Sequence, residues 1–356
     1  MPKDVEPKGQ RQLHVCNNFR SLAIAVFDGI AKSCQTTIIY LQDHNPLPQD
    51  VIDGIGSLSD RIDLVLTSDK EQLRDFVNLP TFFPEIIRRN LRLDLRRGVI
   101  SPKGFTMFGL EDRHFDECFV YHTGFFTSKL VVSMSRTVTM REAGINNYVE
   151  HNVSGIKMFF RYLSGMPPRR QSFGEEKWIK RIEASNPAHL PNVLQSKAVE
   201  VDLWSFSKLL SRSQKRRLSS VFGVPSVSWQ DDRRKRAIVL TQPIDIEKNV
   251  TEIQKVNIYK DIADNLSAAG YEVFIKNHPS EAPFRLPNAQ LIEGTFPVEL
   301  WCMLGNPKFH LAVALCSASL TNVRQSFCTR QIQIFSPSEF LQTKFSDVTR
   351  NLNEKL

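Results

Sequence analysis

Lys276-Asn277-His278-Pro279 closes the apolar run Tyr271-Glu272-Val273-Phe274-Ile275. A strand that opens into a loop here presents an imidazole, with a cation two residues earlier and a proline fixing the turn behind it. Open α/β sheets bind ligands outside the carboxyl ends of their strands, and histidine gives or takes a proton near neutral pH. Three further stretches share this placement. Thr241-Gln242-Pro243 follows the aliphatic run Ala237-Ile238-Val239-Leu240, Pro297-Val298-Glu299-Leu300 opens a helix, and Cys316-Ser317-Ala318-Ser319 follows the apolar residues 310–315. Ser317 and Ser319, with N–H groups at a helix start, can hydrogen-bond a phosphate. His278 can donate to the same phosphate as it leaves, and an ionised Glu299 suits the two hydroxyls of a ribose. Each feature also has an ordinary reading: a His-Pro turn, a serine helix cap, a glutamate favoured by the helix dipole. Their order within one unit points to a nucleotide sugar, with Gln242, Lys276, Pro279, Glu299, Ser317 and Ser319 as its binding residues.

The elements that must hold these residues alternate. Residues 237–241 read as a buried strand, and a helix then carries Ile253, Val256, Tyr259, Ile262 and Leu266 at spacings of three and four, with Gly270 as its stop. The strand into His278, a short strand over 290–292, a helix after Pro297, and strands over 310–315 and 331–335 follow. The first half alternates too: strands over 13–16, 36–41, 63–67, 118–121 and 130–134, a helix over 19–31, and a helical Arg/Leu-rich stretch over 91–97. Such alternation argues for mostly parallel sheets covered by helices. The expected fold is α/β: two Rossmann-like domains facing across a cleft. Residues 1–165 form the first, 166–235 a connector, 236–335 the second, and 336–356 a helical tail.

At 356 residues the chain is long for one core, and 41% hydrophobic with 24% charged residues is ordinary for a soluble globular protein. No apolar run approaches the roughly 18 residues of a membrane span, and the N-terminal residues carry no apolar stretch of a secretory signal. The expectation is a cytoplasmic protein. Six scattered cysteines without a C-x-x-C pair read as free thiols, not zinc ligands. The net charge of +8 is concentrated: residues 157–236 hold 17 Lys or Arg against 7 Asp or Glu, an excess of ten. A solvated charged connector accounts for this. So does attraction to an anionic surface, either peripheral contact with inner-membrane lipid or a polyanionic glycan. Nucleic acid finds no supporting motif.

Taken together, the Gln-Pro strand end, the Lys-x-His-Pro tetrapeptide, the Pro-x-Glu helix start and the Ser-rich strand end resemble the bacterial CMP-sialic acid-dependent sialyltransferases, glycosyltransferase family 52 and the related polysialyltransferases. The resemblance spans residues 238–320 and extends more weakly into the first domain. It implies a GT-B type fold, CMP-sialic acid as donor, a glycan acceptor of lipooligosaccharide or capsule type, and no metal or other cofactor; the chain has no Asp-x-Asp.

Those families carry an acidic Asp/Glu-Asp/Glu-Gly motif whose leading acid is taken as general base. Arg141-Glu142-Ala143-Gly144 matches it, with Glu142 in the leading position and Ala143 in place of the second acid. The resemblance therefore implies an inverting displacement in which Glu142 deprotonates the acceptor hydroxyl and His278 assists the departing phosphate. Loss of the second carboxylate, and Arg141 beside the first, both make Glu142 a weaker base. Two other functions fit the same residues: transfer of another CMP-ulosonic acid such as Kdo, and a non-catalytic, transferase-like role in glycan assembly.

Overall fold

Every residue of Arg11–Cys16 after the first is buried, as expected of a strand flanked by neighbours and covered on both faces. This strand, β1, lies inside a sheet. The computed structural model describes residues 10–43, 45–77, 93–94, 99–100, 110, 114–163, 166–202, 205–225, 234–247, 250–279, 281–294, 296–304, 307–317, 320 and 327–356. The chain divides into two units, Met1–Arg212 and Ser213–Leu356.

In the first unit β1 is joined by β2 (Gln35–Leu41), β3 (Ile62–Thr67), β6 (Phe115–Val120), β7 (Ser135–Arg141), β10 (Arg181–Ala184) and β11 (Ala198–Glu200), in the order β11-β10-β7-β6-β1-β2-β3. All pairings are parallel. Growth of the sheet reverses between β1 and β6, so their carboxyl ends flank a topological switch point. Two short antiparallel pairs stand apart: β4 (Leu93–Asp94) with β5 (Val99–Ile100), and β8 (His151–Asn152) with β9 (Arg170–Gln171). Helix Phe19–Lys32 follows β1 and is started by a capping box between Asn18 and Ser21. One face of the sheet buries Leu13, Val15, Val120, Val138 and Met140. The other is charged: Arg141 pairs with Asp28 at 2.7 Å and Glu183 at 2.8 Å, its guanidinium 3.6 Å from the centre of the Phe119 ring.

The second unit repeats the scheme with β12 (Arg236–Leu240), β13 (Glu272–Lys276), β14 (Gln290–Ile292), β15 (Phe309–Ala314) and β16 (Cys328–Gln333), ordered β14-β13-β12-β15-β16 and parallel throughout. Its switch point lies between β12 and β15. Helix Glu252–Ala268 starts on a Thr251–Gln254 capping box, and Gly270 follows its end at φ +84°. Its buried face is Lys255, Tyr259, Ile262, Ala263 and Leu266, whereas Ile253, expected there, is 74% exposed.

Four further expectations differ from what is observed. The strand over 130–134 is instead helix Phe126–Leu130 running into a 3₁₀ turn, Val131–Met134. The Asp69 carboxylate drives this by accepting from the N–H groups of Phe126 and Thr127 at 3.1 and 2.7 Å. Residues 166–235 do not form a separate connector: β10 and β11 add to the first sheet, helix Arg212–Val221 leads into the second unit, and the boundary falls after Arg212. The tail is not separate either, since Phe340, Val348 and Leu352 are buried in the second core. Of the helical stretch over 91–97, Leu93–Asp94 is strand and the rest lies outside the described residues. Among the described residues no helix is long and apolar enough to cross a membrane.

Candidate functional site

The polar residues of the second unit meet at the carboxyl ends of β12, β13 and β15. Gln242 leaves β12 and reaches across the switch point: the Cys316 N–H donates to its Oε1 at 2.7 Å, and its Nε2 donates back to the Cys316 carbonyl. Its own backbone N–H donates to the Tyr259 hydroxyl at 2.7 Å. Ser317, half-buried, follows Cys316 directly. Ser319 lies outside the described residues.

The loop after β13 is held by a carboxylate that the motif reading missed. Glu281 is buried; the His278 N–H donates to its Oε2 at 2.9 Å, and the Thr241 hydroxyl donates to the same oxygen. The buried Lys255 ammonium lies 3.4 Å from Glu281 Oε1 and 3.0 Å from Asp245. The His278 N–H also donates to Thr241 Oγ1 at 3.0 Å, which ties the β13 loop to the end of β12. The available signal was the spacing His-Pro-x-Glu, three residues from the histidine.

Lys276 is buried beneath this loop. Its ammonium donates to the carbonyls of Asn277 at 3.0 Å and Gly294 at 2.7 Å and lies 4.5 Å from the centre of the Phe296 ring. Gly294 offers that carbonyl from a backbone at φ +109°, where a Cβ would meet the Phe296 ring at 2.9 Å. Burial lowers the Lys276 pKa to about 8 against the opposing pull of Glu281 and Glu299. His278 as a residue is exposed, although protein packs around its imidazole. The protein packed around it, with Lys276, outweighs Glu299 and holds its pKa below the ordinary 6.5. Near neutral pH the imidazole is therefore mostly an N–H donor without a charge. Pro279 is half-buried in the turn, and Glu299 is buried in the first turn of helix Val298–Leu304. Lys276, His278 and Glu299 thus share one electrostatic environment beside Gln242 and Ser317.

In the first unit Glu142 follows β7 at the carboxyl edge. It is 2% exposed, and both its oxygens are engaged. Arg20 pairs with Oε1 at 3.1 Å; the Tyr148 hydroxyl and the Ser185 N–H each donate to Oε2 at 2.7 Å. Burial pushes its pKa up, but Arg20, Ser185 and Tyr148 together prevail and hold it below 4.5. The turn after it needs glycine for conformation, because Gly144 sits at φ +146° with open space where a Cβ would be. Arg141, beside Glu142 in sequence, points into the Asp28–Glu183 network.

Two parallel, doubly wound α/β units, the second with its polar residues gathered at its switch point, define the structural class. Within that class, the alpha-2,8-polysialyltransferase (POLYST) family matches residues 117–335. That is more than half of the chain, and the chain belongs to this family. It is 27% identical over 210 residues to an uncharacterized protein of Haemophilus influenzae (strain KW20 Rd), a match covering 57% of this chain and 65% of that one. Solved structures with lower likeness include a UDP-N-acetylglucosamine 2-epimerase (TM-score 0.42, 13% identity, covering 90% of this chain and 77% of that one). The glycosyltransferase SnogD from Streptomyces nogalater has a TM-score of 0.40 at 11% identity, covering 98% and 88%. At these scores the fold rests on the strand order of the chain itself.

Proposed function

We propose that the protein transfers sialic acid from CMP-sialic acid to a hydroxyl of a glycan acceptor with inversion at the anomeric carbon. The observation that carries this reading is Gln242 and Ser317 at the switch point of the second unit, with Lys276 and His278 at the adjoining end of β13 and Glu299 in their electrostatic surroundings, in a chain of the polysialyltransferase family. The CMP phosphate takes hydrogen bonds from His278 and Ser317, with Lys276 supplying positive charge beneath them, and Glu299 accepts from the ribose. Ser319 belongs to the same proposed phosphate contact. Cleavage of the bond from the anomeric carbon leaves its electron pair on the phosphate oxygen, where His278 offsets the growing negative charge.

The acceptor's proton goes to Glu142. Because both its oxygens are engaged, the route runs through Tyr148: the acceptor hydroxyl hands its proton to the phenol oxygen as the phenol's own proton passes to Glu142. A carboxylate held below 4.5 is a weak base, so this transfer comes late, after the leaving group has largely departed.

Calorimetric titration with CMP, combined with a CMP-release assay using CMP-sialic acid and CMP-Kdo, tests the reading. CMP binds, and His278→Ala and Glu142→Gln each lower transfer at least a hundredfold. Failure of CMP to bind overturns the assignment, and preference for CMP-Kdo corrects the donor. The engaged oxygens of Glu142 favour a second reading, a non-catalytic role in glycan assembly. CMP binding with no donor hydrolysis or transfer would establish it.

A further inference from the structure

The backbone of His278 is pinned at both ends of its residue by Glu281. The Glu281 N–H donates to the His278 carbonyl at 3.0 Å, and the Glu281 carboxylate reaches back to accept from the His278 N–H at 2.9 Å. Helix starts use the same reciprocal pattern, in which a glutamate three residues on returns to the first N–H. Pro279 suits the position after the histidine, because its ring presets φ for a turn. The direction in which the imidazole leaves the chain is thus set by a residue that is not itself at the strand end.

A charged residue is a costly choice for this task. The side chains of Glu281 and Lys255 are 0% and 3% exposed, and a buried ion pair is often no more stabilising than apolar residues of the same volume. The Thr241 hydroxyl already accepts from the His278 N–H at 3.0 Å, so holding the loop does not by itself call for a carboxylate. The charge is nonetheless maintained by a chain through three elements. Asp245, just beyond β12, lies 3.0 Å from the Lys255 ammonium on helix Glu252–Ala268, and that ammonium lies 3.4 Å from Glu281.

Lys276 supplies a use for that charge. Its ammonium donates to the carbonyls of Asn277 and Gly294, and among the described residues no carboxylate lies within ion-pair distance of it. Glu281 and Glu299 act on it from further away, both favouring the ammonium against burial. The groups acting on the His278 ring are Glu299 and Lys276 itself.

We propose that Glu281 is the positioning residue of the donor site, its hydrogen bonds aiming the His278 imidazole at the leaving phosphate and its charge, anchored by Lys255, supporting the Lys276 cation beneath. This rests on the transferase reading above and adds to it the residue through which His278 and Lys276 are prepared together. Glu281 touches neither donor nor acceptor; it acts through those two side chains.

Transfer kinetics with CMP-sialic acid and NMR titration of isotope-labelled lysines, both on the full chain, test it. At about pH 6.5, Glu281→Ala lowers kcat at least tenfold and changes KM for the donor less than threefold, because the aim of His278 matters most as the phosphate departs. Glu281→Gln combined with Lys255→Met keeps an acceptor for the His278 N–H and the Thr241 hydroxyl without the buried pair. It restores kcat to within about threefold of wild type, and it keeps the test open if the alanine variant does not fold. The same double variant lacks the carboxylate charge, so the Lys276 midpoint, identified by its loss in Lys276→Met, falls from about 8 by half a pH unit or more. A Glu281 that only stabilised the fold would leave that midpoint where it is. Unchanged kcat in Glu281→Ala, or an unmoved Lys276 midpoint in the double variant, overturns the proposal. Failure of CMP to bind would overturn the donor reading instead, and the lysine titration, which needs no nucleotide, still decides this one.

Discussion

Gln242 and Cys316 exchange two hydrogen bonds across the switch point of the second sheet, the Cys316 N–H donating to Gln242 Oε1 at 2.7 Å and Gln242 Nε2 donating to the Cys316 carbonyl. The side chain thus acts as a rung joining the ends of β12 and β15, next to Ser317. Only an amide can both accept and donate here. Gln242→Glu loses the donor and turns a carboxylate toward a carbonyl. The expected cost is about 1–3 kcal/mol of stability, with CMP affinity reduced at least tenfold. Urea unfolding and calorimetry read the two effects, and an unchanged unfolding midpoint would show that the rung does not matter.

Glu281 holds two donors and one buried cation, so its replacement exposes the cost of losing a buried ion-pair partner. Glu281→Ala leaves Lys255 paired with Asp245, and removal of one member of a buried pair costs about 3–5 kcal/mol. Thermal unfolding should fall on the order of 10 °C. Removing both charges relieves the penalty, so Glu281→Gln with Lys255→Met should unfold later than either single variant. Additive losses in that cycle would mean that the two groups are not coupled.

How far the sequence could be read follows from which residues obey periodicity. The strands of the second unit were legible as apolar runs, and the polar residues proposed to bind the donor sit where those runs stop. Lys255 was not, because a lysine on the buried face of a helix breaks the pattern, and Ile253 was credited to that face instead. Its partner Glu281 lies in a loop, where spacing carries little information. In the first unit β10 and β11 are four and three residues long and lie among prolines and like charges, too short for alternation to show. The state of Glu142 was illegible for a different reason. Arg20 and Ser185 are distant in sequence, and Arg141, the neighbour expected to act on it, turns toward Asp28 and Glu183.

Glu142 makes a prediction about acid stability. Its folded pKa lies below its ordinary 4.5, so the unfolded chain binds its proton first as pH falls. The stabilisation is fully present above pH 4.5 and is lost as pH drops through the lower folded value. Unfolding free energy followed from pH 6 to pH 3 should decline, and Glu142→Gln should flatten part of that decline while lowering stability at neutral pH. Tyr148→Phe, which removes one hydrogen bond to the carboxylate, should flatten it less. An acid limb identical in all three proteins would mean that the Arg20–Glu142 pair contributes nothing.

Lys276 works with the opposite sign. Its pKa of about 8 lies below the ordinary 10.5, so between these values the unfolded chain holds a proton that the folded chain has released. Stability should therefore rise with pH across that interval, by on the order of 2–3 kcal/mol, and the rise should be reduced in Lys276→Met. The same group reports on the donor site. A phosphate bound above Lys276 favours the ammonium form, so CMP binding at pH 8.5 should take up part of a proton. Calorimetry in buffers of different ionisation enthalpy measures that uptake directly. Wild-type protein should show it and Lys276→Met should not, and CMP affinity should fall as pH rises above 8. Proton uptake that persists undiminished in Lys276→Met would assign the titration to another group and remove Lys276 from beneath the phosphate.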